Sequence, residues 1–230
     1  MKKQAKTITL IVVVLAILLV GYLIAKRLLA RSYYTQAVAH ATREQYDDAI
    51  AFCSKAIEMA PGYANAYYSR GRAYTCKGQY DRAIRDFNRS IEIHGGPASY
   101  YGRALAYYHV KEYDRAIADY GRAIELNPRI PEVFSGRARA YYRKGCYHRA
   151  VSDSNKAIEL RDDFALAYYR KALALEELGR PAEAIDAYKS FIENANPSQR
   201  KTVRYATQRI EQLQARKQEV GQRSNIAGSK

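Results

Sequence analysis

Residues 113–128 read YDRAIADYGRAIELNP, and nearly the same phrase stands at 80–93 as YDRAIRDFNRSIEI. It returns as YDDAIAFCSKAIEMAP from residue 46, and more loosely as YHRAVSDSNKAIELRD from 147 and PAEAIDAYKSFIENAN from 181. Successive copies are 34, 33, 34 and 34 residues apart. A period in this range marks stacked helical hairpins, because one such unit cannot bury its apolar face alone and must lean on its neighbours.

Each copy holds two helical patterns back to back. In the third, Tyr100, Ala104 and Tyr107, then Ala116, Tyr120 and Ala123, each fall at i, i+4 and i+7, one face of a helix. The segment HVKEY at 109–113 supplies the turn between them, and Asn127-Pro128 ends the second helix. Helix axes about 8–10 Å apart need small side chains where they cross. Ala37, Gly71, Ala104, Ala138 and Ala172 meet that need in the first helices, and Ala49, Ala83, Ala116, Ala150 and Ala184 in the second.

The order of an aromatic, a small residue and an aromatic, followed by Ala, aromatic, Ala and Pro, resembles the tetratricopeptide repeat family. The match is close in AYYSRGRAYTCKGQYDRAIRDFNRSIEI (66–93) and SYYGRALAYYHVKEYDRAIADYGRAIELNP (99–128). Departures are the first aromatic, which is Tyr33, Tyr67, Tyr100, Phe134 or Tyr168 rather than Trp, and the closing Pro, kept only as Pro61 and Pro128. Cys53 and Ser154 replace the second-helix aromatic, which points to looser packing in repeats 1 and 4. The resemblance implies an all-α, right-handed superhelical solenoid of five repeats at 30–63, 64–96, 97–130, 131–164 and 165–198. Val203, Ala206, Ile210 and Leu213 then recur at helical spacing, which predicts a capping helix over 199–219 that covers the last apolar face. The polar residues 220–230 are expected to be a disordered tail.

Residues 1–29 form the amino-terminal tail and an expected anchor. Ile8 to Ala25 contains no charge and is bracketed by Lys2, Lys3 and Lys6 before and by Lys26, Arg27 and Arg31 after. Such a run makes roughly 27 Å of helix, close to the hydrocarbon thickness of a bilayer. It exceeds the usual length of about 7–15 residues for a cleaved signal and lacks a clear small-x-small site, so an uncleaved single-pass anchor is expected. Basic residues on the two flanks nearly balance. The lysine-rich tail favours a repeat domain on the non-cytoplasmic face, whereas the free thiols favour the reducing side.

The net charge of +15 lies mostly at the ends of the chain. Residues 1–29 carry five Lys/Arg and no acid, and residues 199–230 carry eight against two. A nucleic-acid groove would need its cations along the array, so nucleic acid is a disfavoured partner. Cys53, Cys76 and Cys146 are too few and too scattered for a disulfide framework or a metal site. His40, His94, His109 and His148 fall in no catalytic motif, and the glycines form no phosphate loop. No catalytic, cofactor-binding or metal-binding residue is therefore assigned, and no enzymatic activity or cofactor is expected.

Binding is the remaining class. Members of the family hold extended peptides or helices on a concave face lined by first helices. The resemblance places Tyr34, Tyr68, Arg72, Tyr101, Tyr108, His109, Arg139, Tyr142, Arg143 and Tyr169 there, with Glu177 at its end. With 22 Tyr against 5 Phe and no Trp, this would be a tyrosine ladder flanked by arginines, suited to an acidic or polar segment. The Lys/Asn positions with which some members clamp a carboxy-terminal carboxylate hold Tyr34, Val38, Ser69, Ala98 and Gly102 instead. The reading is a membrane-anchored adaptor for a protein or peptide partner of unspecified identity. A self-associating scaffold is the alternative, and a homo-oligomer is compatible with both.

Overall fold

The computed structural model describes the backbone of residues 2–227 and the side chains of residues 10–216, 218 and 219. Its elements are α1 (Lys2–Thr42), α2 (Tyr46–Met59), α3 (Ala64–Cys76), α4 (Tyr80–Ile93), α5 (Pro97–His109) and α6 (Tyr113–Leu126). They continue as α7 (Pro131–Arg143), α8 (Tyr147–Leu160), α9 (Ala165–Glu177), α10 (Pro181–Asn194), a 3-10 turn (Pro197–Gln199) and α11 (Arg200–Ala227). No strand occurs among the described residues. The chain is thus all-α, built from consecutive helical hairpins as the repeat predicts.

Each hairpin bends in the same way. Glu44, Gly78, Lys111, Gly145 and Gly179 sit at equivalent turn positions, and all have φ between 59° and 76°. Only glycine reaches that left-handed region without steric cost, so Glu44 and Lys111 hold their turns at some expense.

Residues 1–106 form one compact unit and residues 107–230 another. In the first, α1 packs on α2, α2 on α3 and α3 on α4. Ala30, Ala37, Ala49, Ala56, Ala66, Ala73 and Ala83 are buried at these contacts. Phe87 is fully buried, and its ring fills space that glycines leave open on two helices. A Cβ at Gly71 would lie 3.0 Å from Phe87 Cε1, and one at Gly102 only 2.5 Å. Cys53, at the equivalent position of α2, is 1% exposed, and burial pushes its thiol up to about 12. In this unit the guanidinium of Arg70 grips Asp86 with two hydrogen bonds of 2.8 Å and donates a third, at 3.0 Å, to Ser54.

α1 is one continuous helix of 41 residues, about 60 Å long. The expected division at residue 29 is not a break in the backbone, because nothing from Lys26 to Thr42 is a Pro, a Gly or an effective cap. It is a change of surroundings. From Leu10 to Ile24 the large apolar side chains are exposed, whereas Ala30 and Ala37 are buried against the hairpins.

In the second unit α6, α7, α8 and α9 pack in sequence, α7 also meets α9, and α10 packs on both α9 and α11. Tyr120 repeats the Phe87 arrangement: a Cβ at Gly136 would come within 2.7 Å of its ring. Arg137 repeats the Arg70 clamp, holding both carboxylate oxygens of Asp153 at 2.7 and 2.9 Å. Ser154 is fully buried where Tyr120 has a ring, and its Oγ has no hydrogen-bond partner among the described residues. At the end of the chain α11 lays Ala206 and Leu213 into a cluster with Leu175, Ile185, Tyr188 and Phe191, and Val203 and Ile210 cover its edge. Arg209 adds an ion pair to Glu176. α11 thus packs on the last apolar cluster, and the helix runs to Ala227 with no proline to interrupt it. Residues 220–227 of the expected tail are helical, and residues 228–230 lie outside the described residues.

Two substitutions test this packing. Gly136→Ala should lower stability by about 1–3 kcal/mol through overpacking against Tyr120, while Gly62→Ala, whose Cβ meets nothing within 4 Å, should change little. The readout is the denaturant midpoint. Ile210→Asp/Leu213→Asp should lose roughly 1.5–3 kcal/mol per side chain, with amide exchange rising first in α9 and α10.

Candidate peptide-binding surface

In the second unit the α5–α6 and α7–α8 tips each carry a tyrosine pair five residues apart, whereas the α9–α10 tip has Glu176 and Pro181 at those positions. Tyr108 meets Tyr113 with ring centroids 5.5 Å apart, and Tyr142 meets Tyr147 at 5.6 Å. One ring stands at the end of the first helix and the other at the start of the second, so the turn itself brings them together. α7 then lays two arginines across the earlier pair. The guanidinium carbon of Arg139 is 3.9 Å from the centroid of Tyr108, and that of Arg143 is 5.8 Å from Tyr113. His109 stands edge-on to Tyr108 at 5.7 Å. Tyr142 donates to Glu177 Oε1 of α9 at 3.4 Å.

Tyr108, His109, Arg139, Tyr142 and Arg143 thus lie in one neighbourhood of α5, α6 and α7, with Glu177 at its α9 edge. Tyr169 is placed differently. Its ring is half-buried against Tyr188, Phe191 and Tyr205, within reach of the cap. In the first unit, Tyr34 packs on Tyr63 with centroids 5.2 Å apart, and exposed Arg72 lies 5.8 Å from the Tyr68 ring. Tyr68 itself leans on Phe87 at 6.0 Å, and Tyr101 is half-buried.

Electrostatics separate the three arginines of α7. Arg137 points into its hairpin and is committed to Asp153. Arg139 and Arg143, on the other side, form no ion pair among the described residues, and Arg139 Nε is enclosed without a hydrogen-bond acceptor. Their charge is therefore available to an anion. Partial burial, and then the nearby charge of Arg139, hold His109 below its ordinary value, so the imidazole is neutral at pH 7. Burial first, and then Glu177, push the Tyr142 phenol up to about 12, which keeps it a hydrogen-bond donor. No group of three or more His, Cys, Asp or Glu able to hold a metal occurs among the described residues.

Tyr113 and Tyr147 escape a reading confined to first helices because they open the second ones. Their signal was present, since Tyr46, Tyr80, Tyr113 and Tyr147 begin four of the five copies. The Arg70–Asp86 and Arg137–Asp153 clamps were also missed. Each joins residues 16 apart, a spacing that means nothing until the hairpin closes.

Hairpins that turn constant apolar faces inward and variable polar side chains outward define a helical-repeat interaction scaffold. More narrowly, the chain belongs to the tetratricopeptide repeat family, whose models match residues 28–94, 97–130 and 135–198. No curated protein matches the sequence. Among solved structures, the fold is similar to YrrB, described as a TPR protein with an unusual peptide-binding site, at TM-score 0.62 and 20% identity. That likeness covers 76% of this chain and 90% of YrrB. A MamA structure aligns at TM-score 0.64 and 23% identity, over 76% of this chain and 94% of its own. MamA from Desulfovibrio magneticus RS-1 aligns at TM-score 0.66 and 14% identity, over 72% and 94%. At such identities the likeness concerns the fold.

One measurement checks the local electrostatics. Arg139→Ala should raise the His109 titration midpoint towards the ordinary 6.5, as followed by NMR of its Cε1 proton. An unmoved midpoint would show that Arg139 does not act on this ring.

Proposed function

We propose that the protein is a membrane-anchored, non-enzymatic adaptor that binds an extended acidic or polar protein segment on its tyrosine- and arginine-bearing first helices. Tetratricopeptide arrays bind protein or peptide partners, and a TPR protein of similar fold is described by its peptide-binding site. The observation that carries the narrower reading is the sorting of arginines on α7. Arg137 is neutralised within its hairpin, while Arg139 and Arg143 rest on tyrosine rings and form no ion pair among the described residues. An aromatic ring with a guanidinium laid on it offers a partner a flat apolar surface and a forked donor together. Tyr34, Tyr68, Arg72, Tyr101 and Tyr169 are the further contacts this reading includes. The anchor reading rests on α1, which is long and apolar enough to cross a bilayer, a test that a signal sequence also meets.

The experiment is capture of partners by the full chain from solubilised native membranes, comparing wild type with Tyr108→Ala/Arg139→Ala/Tyr142→Ala after establishing equal melting. Each anchor should contribute about 1–4 kcal/mol to binding, so the triple variant should lose its partner. Retention of the same partner at the same salt tolerance would refute the surface and favour self-association.

A further inference from the structure

The first unit contains a second feature that peptide binding does not use. A groove of about 680 Å³ opens between α1 and the loop from α2 to α3, lined on one side by Leu23, Lys26, Arg27 and Arg31 and on the other by Met59 and Pro61. Its chemistry is divided. Leu23 belongs to the apolar stretch of α1, and with Met59 and Pro61 it gives the groove an apolar flank. The three cations stand beyond it along the same helix, and none forms an ion pair among the described residues. Lys26 alone has a ring partner, Tyr22, at 5.1 Å.

The position of the groove along α1 identifies the kind of molecule that fits. At about 1.5 Å per residue, Arg31 lies roughly 9 Å beyond Ala25, the last residue of the uncharged stretch, and Leu23 lies about 3 Å before it. The polar layer on each side of a bilayer is about 5–8 Å thick. If α1 spans a membrane, Leu23 lies at the depth of acyl chains, while Lys26, Arg27 and Arg31 run through and just past the headgroups. α1 continues without a break into the first hairpin, so Met59 at the end of α2 and Pro61 in the loop after it are held against the same layer.

We propose that this groove binds the headgroup and upper acyl chain of an anionic phospholipid, the phosphate held by Lys26, Arg27 and Arg31 and the chain resting on Leu23, Met59 and Pro61. The proposal rests on the anchor reading of α1. A bound lipid would wedge the first hairpin against the membrane and fix how the array stands on it.

The test uses the full chain reconstituted in vesicles of phosphatidylcholine alone or of equimolar phosphatidylcholine and phosphatidylglycerol. Flotation with the first vesicles after carbonate washing reads the anchor, and native mass spectrometry of the extracted protein reads retained lipid. The wild type should float in both and, from the mixed vesicles, retain phosphatidylglycerol over phosphatidylcholine at a ratio of about ten to one, given the attraction each basic residue adds near an anionic surface. Lys26→Gln/Arg27→Gln/Arg31→Gln should float equally and lose the enrichment, whereas Lys2→Gln/Lys3→Gln/Lys6→Gln should keep it. Floating protein without enrichment, or equal loss in both variants, would overturn the groove proposal and leave the anchor standing. Failure to float would overturn both. Displacement of the lipid by inorganic phosphate at matched ionic strength would assign the groove to a soluble anion and overturn the lipid reading.

Discussion

The fold depends on a ring inserted where a neighbouring helix has no side chain. Phe87 lies against Gly71 of its own hairpin and Gly102 of the next first helix, and Tyr120 lies against Gly136 in the same way. An aromatic ring gains apolar burial and dispersion contacts only if the opposing backbone comes close, and a Cβ at either later glycine would forbid that approach. Each insertion fixes how far one repeat turns relative to the next. Cys53 and Ser154 occupy the same position with small side chains, so the stacking of repeats 1 and 4 relies on other contacts.

Once the hairpins are set, the polar side chains sort themselves by which face they occupy. The Arg70 and Arg137 clamps spend buried aspartates on joining first helix to second, and truncating either partner would strand a charge at low exposure. Exposed pairs such as Arg122–Glu125 add little. Arg139 and Arg143 on the opposite face have no such partner among the described residues, and they lie instead on tyrosine rings at the hairpin turn. A surface preorganised in this way loses less side-chain entropy when a partner docks.

α1 links the array to whatever surrounds its apolar half. Because no hinge separates the exposed leucines and valines of residues 10–24 from the buried Ala30 and Ala37, the direction of this helix sets the direction of the first hairpin. A flexible linker would uncouple the two, and its absence between these residues makes the basic stretch from Lys26 to Arg31 part of both.

Period and spacing in the sequence determined the fold class, the ten small residues at the helix crossings and the apolar positions of the last helix. Those properties follow from which residues can be apolar or small on a regular helix, and helical geometry makes spacing sufficient. Every crossing residue named from the spacing is buried. Tertiary structure alone decided how the tyrosines and arginines divide their work. Whether Arg137 or Arg139 faces the hairpin interior, whether Tyr169 lies open or against the cap, and that Tyr113 and Tyr147 complete the ring pairs all depend on side chains brought together by closing a turn or docking a helix. A pattern along the chain records which face a residue occupies, but not which ring or carboxylate waits on the element opposite.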